Sequence, residues 1–188
     1  CNLGVGDLST LLDAGVPITT NQVHFSLIDR RAENHLAAFC KTHGIGLMSF
    51  APLAGGFLSD AWLDAPDPAG TDQRFSREFR ALIDAGGGWA ACQRLIATLR
   101  TIASRHNLSV AQVAQRWVMQ CGPSQAILFG ASSADRLGEL LAIFDAPLND
   151  DDVAEIEAAA LVRSPLDVGE IERAPDSPMM RAIKEHVG

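Results

Sequence analysis

The 188-residue chain contains no tyrosine, and aromatic residues of every kind make up only 6% of it. No phenol hydroxyl is therefore available anywhere in the chain as a proton donor or a hydrogen-bonding tip. No stretch reaches the ~20 consecutive apolar residues that a membrane span needs. The N-terminus also lacks the basic region followed by an apolar core that marks a secretion signal. These absences predict a soluble, cytoplasmic protein with no membrane partner. Positive charge is scarce as well: 15 Lys and Arg stand against 23 Asp and Glu, for a net charge of -8. The basic residues are scattered rather than clustered, which argues against a nucleic-acid partner.

Cys1, Cys40, Cys92 and Cys121 are far apart, with no C-x-x-C pair and no histidine at ligand spacing. Neither a disulfide framework nor a zinc site is indicated, and no metal is expected. The histidines, at 24, 35, 43, 106 and 186, form no metal-like spacing either, and His24 is the one inside a strand-like run.

What is present is ordinary globular composition, 47% hydrophobic and 20% charged, enough for one domain with a real core. Residues 7–14 place Leu8, Leu11 and Leu12 on one helical face, closed by Gly15 and Pro17. The run ITTNQVHFS over 18–26 reads as a strand. Residues 29–43 carry Leu36, Ala37, Phe39 and Cys40 at helical spacing, and GIGLMSF over 44–50 reads as a buried strand. Strand, helix and strand in this order make a parallel βαβ unit.

After Phe50 comes a Gly-, Pro- and Asp-rich stretch, far longer than the ~2 to 6 residues of a usual βα connection. Helical pattern resumes over 89–105. Ser109 and Gln112 then form a capping box ahead of the stripe Val110, Val113, Ala114, Trp117 and Val118. A third strand over 125–129, a helix over 133–144 and a last helix capped by Asn149, with Asp150 to Asp152 in its first turn, complete the pattern. This is an α/β fold with parallel strands, too few to close a barrel. Residues 164–188, with Pro165, Pro175 and Pro178, are expected to form an irregular arm with a short helix over 179–186.

In a parallel α/β protein, functional groups gather at the carboxyl ends of the strands. Gln22, beside Asn21, lies in the first strand; such a carboxamide either pairs with another carboxamide or closes a structural hydrogen bond. Phe50 ends the second strand just before Pro52, Gly55 and Gly56, as a stacking platform or a core aromatic. In FGASSADR, Gly130, Ser132, Ser133 and Arg136 sit at a strand-to-helix turn, where backbone N–H groups and an arginine favour phosphate; a plain helix cap has the same pattern. Gly4-x-Gly6 lacks the third glycine and the preceding strand of a dinucleotide fingerprint.

Taken in order, NLGV, TTNQVHFSLIDRR, GIGLMSFAPLAGGFLS, LSVAQVAQRWVMQ and ILFGASSADRLGELLAIFDAPL resemble the aldo-keto reductase family over about residues 1 to 160. The resemblance implies a partial TIM (β/α)8 barrel, its C-terminal half, over residues 1–163. It implies NADP(H) as cofactor and an aldehyde or ketone as the small-molecule carbonyl substrate. By the same resemblance Asn2 and Gln22 hold the nicotinamide carboxamide and Phe50 stacks on its ring. Ala51, Pro52, Leu53, Gly55 and Leu58 fold over the pyrophosphate. Ser132 and Arg136 face the 2'-phosphate, Glu139 faces the adenine, and Gly130 stands where some members have Lys.

The family's catalytic Asp, Tyr, Lys and His come from the first four βα units, so none is expected in this chain. The chain is thus expected to be part of a reductase that carries the cofactor side without the catalytic tetrad. A natural start upstream of Cys1 is expected too. The alternative is a non-catalytic NADP(H)-binding regulatory module working with a partner chain. A half barrel leaves sheet edges unpaired, so the expected partner is a complementary N-terminal half or a second copy in a dimer.

Overall fold

In the computed structural model, which describes residues 1–68, 74–130 and 135–171, strands β1 (Thr20–His24) and β2 (Gly46–Phe50) run parallel with Thr20 opposite Gly46 and His24 opposite Phe50. Strand β3 (Ala126–Ile127) adds to β2, also parallel, giving the order β1-β2-β3. The α/β class and the parallel direction are as the pattern predicts. The strands are shorter than predicted, for local reasons. At the end of β1 the Ser26 hydroxyl accepts from the Ile28 and Asp29 N–H groups at 3.2 and 3.0 Å, turning the chain away from the sheet.

The helix expected over 29–43 divides into a 3₁₀ turn (Arg31–Glu33) and α2 (Leu36–Thr42). Asp29 ties up the start of this stretch, and the helix is interrupted at Asn34 and His35, before α2. The Asp29 carboxylate takes the Arg31 guanidinium at 2.9 and 2.7 Å and the Arg31 N–H at 3.3 Å. Both side chains are buried. A side chain that binds its own backbone in this way competes with helical bonding.

Helix α1 (Val5–Asp13) begins two residues before the predicted start. The Gly4 N–H donates to Asp7 and the Val5 N–H to Asp167, tying the start of the chain to its later part. A Cβ on Gly4 would lie 2.6 Å from the Val168 carbonyl oxygen, so only glycine allows this approach. Of the arm, residues 164–171 pack as irregular chain, with Val168 buried. The short helix expected over 179–186 lies outside the described residues.

Helix α3 (Arg74–Ala85) starts at the end of the Gly-, Pro- and Asp-rich stretch and fills an interval before residue 89 for which the sequence predicts no element. Its buried Phe79, Leu82 and Ile83 have i, i+3, i+4 spacing, but the charged residues around them and the glycines at 86–88 hide it in the sequence. Helix α4 (Gly88–His106) supplies the largest part of the core through Leu95, Ile96, Leu99 and Ile102. The loop after β2 is pinned to it by the Phe57, Trp62 and Trp89 rings, whose centroids are 5.3 to 6.1 Å apart, and by Gln93, whose Nε2 donates to the Trp62 carbonyl at 2.7 Å.

Helix α5 (Val110–Cys121) starts with the predicted Ser109–Gln112 capping box, and α7 (Asp150–Ala159) starts at Asn149. Between them lie α6 (Asp135–Leu141) and a 3₁₀ turn (Ala142–Phe144). Trp117 of α5 is fully buried, stacked on Phe25 at 5.7 Å and covered by the Arg30 guanidinium at 4.8 Å. No helix among the described residues is long and apolar enough to cross a membrane. No His, Cys, Asp and Glu cluster among them has the makings of a metal site.

Candidate functional site

A groove of about 590 Å³ opens at the carboxyl ends of the three strands. That size is typical of small-molecule sites. Gln22 enters from β1, Phe50 from the last position of β2, and Leu128, Phe129 and Gly130 from the segment after β3. The loop after β2 supplies Ala51, Pro52, Leu53, Gly55 and Gly56, while α3 and α5 supply Phe79 and Gln115. None of these lining residues is charged. A second cavity of about 510 Å³, beside Lys41, Gly44 and Gln125, lies toward the amino ends of β2 and β3.

Register explains how Gln22 and Phe50 meet. Side chains alternate along a strand, so Gln22 and His24 share a face, and their partners Met48 and Phe50 share it too. The buried His24 ring sits 4.1 Å from the Phe50 ring and 5.3 Å from that of Phe79, backing the aromatic wall.

Backbone strain concentrates in the same loop. Ala51, Ala54, Gly55 and Gly56 have φ of 54, 49, 67 and 96°, all in the left-handed region. For the two alanines this costs on the order of 1 to 3 kcal/mol each, and such strain clusters at functional sites. It turns the chain over the groove, with Ala54 N–H donating to Ala51 and Gly56 N–H to Leu53. Among the described residues nothing lies within 4 Å of a Cβ built on Gly56 or on Gly130, so main chain there is open on that side.

Of the residues singled out from the sequence, Gln22, Phe50, Ala51, Pro52, Leu53, Gly55 and Gly130 converge on the groove. Asn2 does not line it. Asn2 N–H donates to the Gln22 carbonyl at 2.7 Å, and its Oδ1 accepts from His24 N–H at 3.0 Å, laying the first residues along the outer edge of β1. Glu139 is exposed on α6, and its carbonyl oxygen accepts from Gln112 Nε2 at 2.7 Å. Ser132 and Ser133 lie outside the described residues, and so does the Arg136 side chain.

Phe79 and Gln115 were missed. Phe79 belongs to α3, a helix that the sequence pattern does not predict. Gln115 borders the apolar stripe of α5 that runs through Ala114 and Trp117, and no local signal in the sequence separates it from Gln112 and Gln120 on the same helix.

Burial pushes the thiol of Cys92 up to about 12, partly opposed by the Arg80 charge, and Cys40 and Cys121 are also raised, mainly by burial. None of the three lines the groove, and buried thiols held in the protonated form are poor nucleophiles.

A parallel α/β sheet with a groove of ligand size at its strand ends, walled by an aromatic ring and a strained glycine-rich loop, places this chain among α/β proteins whose cavity lies at the carboxyl ends of the strands. The chain belongs to the aldo/keto reductase family, whose model matches residues 1–161. It is 34% identical over 119 residues to flagellar radial spoke protein 5 of Chlamydomonas reinhardtii, covering 61% of this chain and 22% of that protein. It is 32% identical over 142 residues to protein tas of Escherichia coli (strain K12), covering 75% of this chain and 39% of that one. Its fold matches that of a glycerol dehydrogenase from Gluconobacter oxydans with a TM-score of 0.66 at 18% identity, over 88% of this chain and 50% of that structure. The chain thus spans less than half the length of these two relatives and half of that structure.

Proposed function

We propose that this chain forms the cofactor-binding side of an NADP(H)-dependent reductase acting on aldehydes or ketones. The observation that carries the proposal is convergence: seven residues read as cofactor contacts, from β1, from β2 with the loop after it and from the end of β3, line one groove. The groove suits a dinucleotide. Phe50 offers a flat face, Gln22 a carboxamide, and the main chain at Gly56 and Gly130 is open to close approach by phosphates or sugars. When bound, the cofactor supplies a hydride. The residues of this chain bind and orient it: Phe50 by stacking on the nicotinamide ring, Gln22 by hydrogen-bonding its carboxamide, and Ala51 to Gly56 by covering the pyrophosphate. Ser132 and Arg136 are assigned to the 2'-phosphate, Glu139 to the adenine, and Asn2 to setting the position of Gln22 and His24.

The chain has no tyrosine, so a phenolic proton donor for the carbonyl oxygen has to come from outside these residues. The same supplement has physical work to do in the fold. Leu137, Leu141 and Phe144 are 53, 63 and 57% exposed at i, i+4, i+7 spacing, an apolar stripe of the kind that soluble helices cover. We assign its cover, and the completion of the sheet as half of a (β/α)8 barrel, to further barrel elements in the same polypeptide or a partner chain. The test is to mix this chain with NADPH and a panel of aldehydes. Binding without NADPH oxidation is expected, and steady carbonyl reduction by residues 1–188 alone would refute the division of labour.

A further inference from the structure

Helix α5 carries three glutamines that face other elements, and two of them have their amides fully engaged. Gln112 accepts from Ser109 N–H at 2.8 Å and donates to the Glu139 carbonyl at 2.7 Å. Gln120 accepts from Leu148 N–H at 3.1 Å and donates to the Leu148 carbonyl at 2.8 Å. Gln115 differs. It is 5% exposed, and among the described residues its side chain makes no hydrogen bond. Yet its polar atoms are not sealed in the core, because among the described residues the one enclosed side-chain polar atom without a partner is Trp117 Nε1. The remaining direction is the groove, which Gln115 lines together with Gln22, Phe50 and Leu128.

With its polar atoms open to the groove and no protein partner, the Gln115 amide is left to bond water or whatever occupies the groove, and natural structures satisfy nearly all such groups. We infer that Gln115 is a ligand-contacting residue of the groove, which hydrogen-bonds a neutral group of the bound dinucleotide that both donates and accepts. The inference rests on the dinucleotide reading of the groove. A carboxamide carries one acceptor and two donors and no charge. It therefore matches a ribose hydroxyl or an amide rather than a phosphate, in keeping with a groove wall on which none of the described lining residues is charged. Either half of a dinucleotide carries such groups, and the two are separable by using each half as a probe.

The experiment is calorimetric titration of the full chain and of Gln115→Leu with NADPH, reduced nicotinamide mononucleotide and adenosine 2',5'-bisphosphate, with thermal midpoints recorded alongside. Gln115→Met, nearly the same length as glutamine, serves as the second variant. The expected result is an NADPH Kd raised by roughly 2- to 12-fold, the range of one net neutral hydrogen bond, with no drop in thermal midpoint. The same loss should be seen with one of the half-molecules and not the other, which identifies the half that Gln115 contacts. If the wild-type chain binds NADPH and both variants bind it equally well, the role of Gln115 is overturned while the groove reading stands. If the wild-type chain binds none of the three probes, the groove reading falls and the role of Gln115 falls with it.

Discussion

Replacing Asp152 by alanine should destabilise the chain by about 2 to 3 kcal/mol, an effect that disappears in acid. Asp152 is 1% exposed at the third position of α7. Its carboxylate accepts from Asn149 N–H at 3.2 Å, from His106 Nε2 at 2.7 Å and from Arg105 at 3.1 Å. These bonds fasten the start of α7 to the end of α4. The cap bond is worth about 1 kcal/mol and the short bond from His106 to a charged acceptor about 1.5 to 2 kcal/mol. Arg105 is well exposed and also paired with Glu155, so it adds little.

Burial by itself would raise the Asp152 carboxyl, but the bonds from His106, Asn149 and Arg105 outweigh it and hold the carboxyl below its ordinary value. A carboxyl depressed on folding stabilises the native state above its unfolded pKa of about 3.9 and loses that contribution as pH falls through the folded value. Urea denaturation of wild type and Asp152→Ala should therefore show the full difference at and above about pH 5 and a shrinking one below about pH 4. The corresponding drop in thermal midpoint near neutrality is roughly 4 to 10 °C. A difference below about 0.5 kcal/mol at neutral pH, or one that persists unchanged in acid, would refute the reasoning.

Phe50→Ala should weaken NADPH binding by roughly 2- to 12-fold, the range of one aromatic contact, while Phe50→Tyr retains affinity; fluorescence titration of NADPH reads both. Cys92, with its thiol pushed up to about 12, should resist a thiol-directed disulfide reagent in the native protein and react once the chain is unfolded, as peptide mass mapping would show. Leu141→Lys should lower self-association in analytical ultracentrifugation, because it places a charge in the exposed stripe with Leu137 and Phe144. Unchanged sedimentation of that variant beside a self-associating wild type would mean that the stripe is not an interface.

Legibility in the sequence followed the range of the signals. The capping box at Ser109–Gln112 and the cap at Asn149 are each local to one helix start, and both form as read, the second closed into a box by Asp152. The buried run ending at Phe50 forms β2 and places Phe50 at the groove. Helix α3 escaped because its stripe of Phe79, Leu82 and Ile83 is short and set among charges, so its helical character depends on burial against the rest of the fold. The late start of helical structure in the stretch over 29–43 goes with the buried ion pair between Asp29 and Arg31, which periodicity cannot register. In the groove, residues next to strand ends were readable from their position. Gln115 was not, since nothing local distinguishes a glutamine that will have no protein partner from Gln112 or Gln120 on the same helix.

The most direct test of the cofactor assignment is an equilibrium titration of NADPH into the purified chain, with Gln22→Leu as the comparison. Saturable one-to-one binding, weakened by several-fold in the variant as expected for one lost hydrogen bond, is the predicted result. Binding that ignores the substitution, or no saturable binding at all, would contradict it.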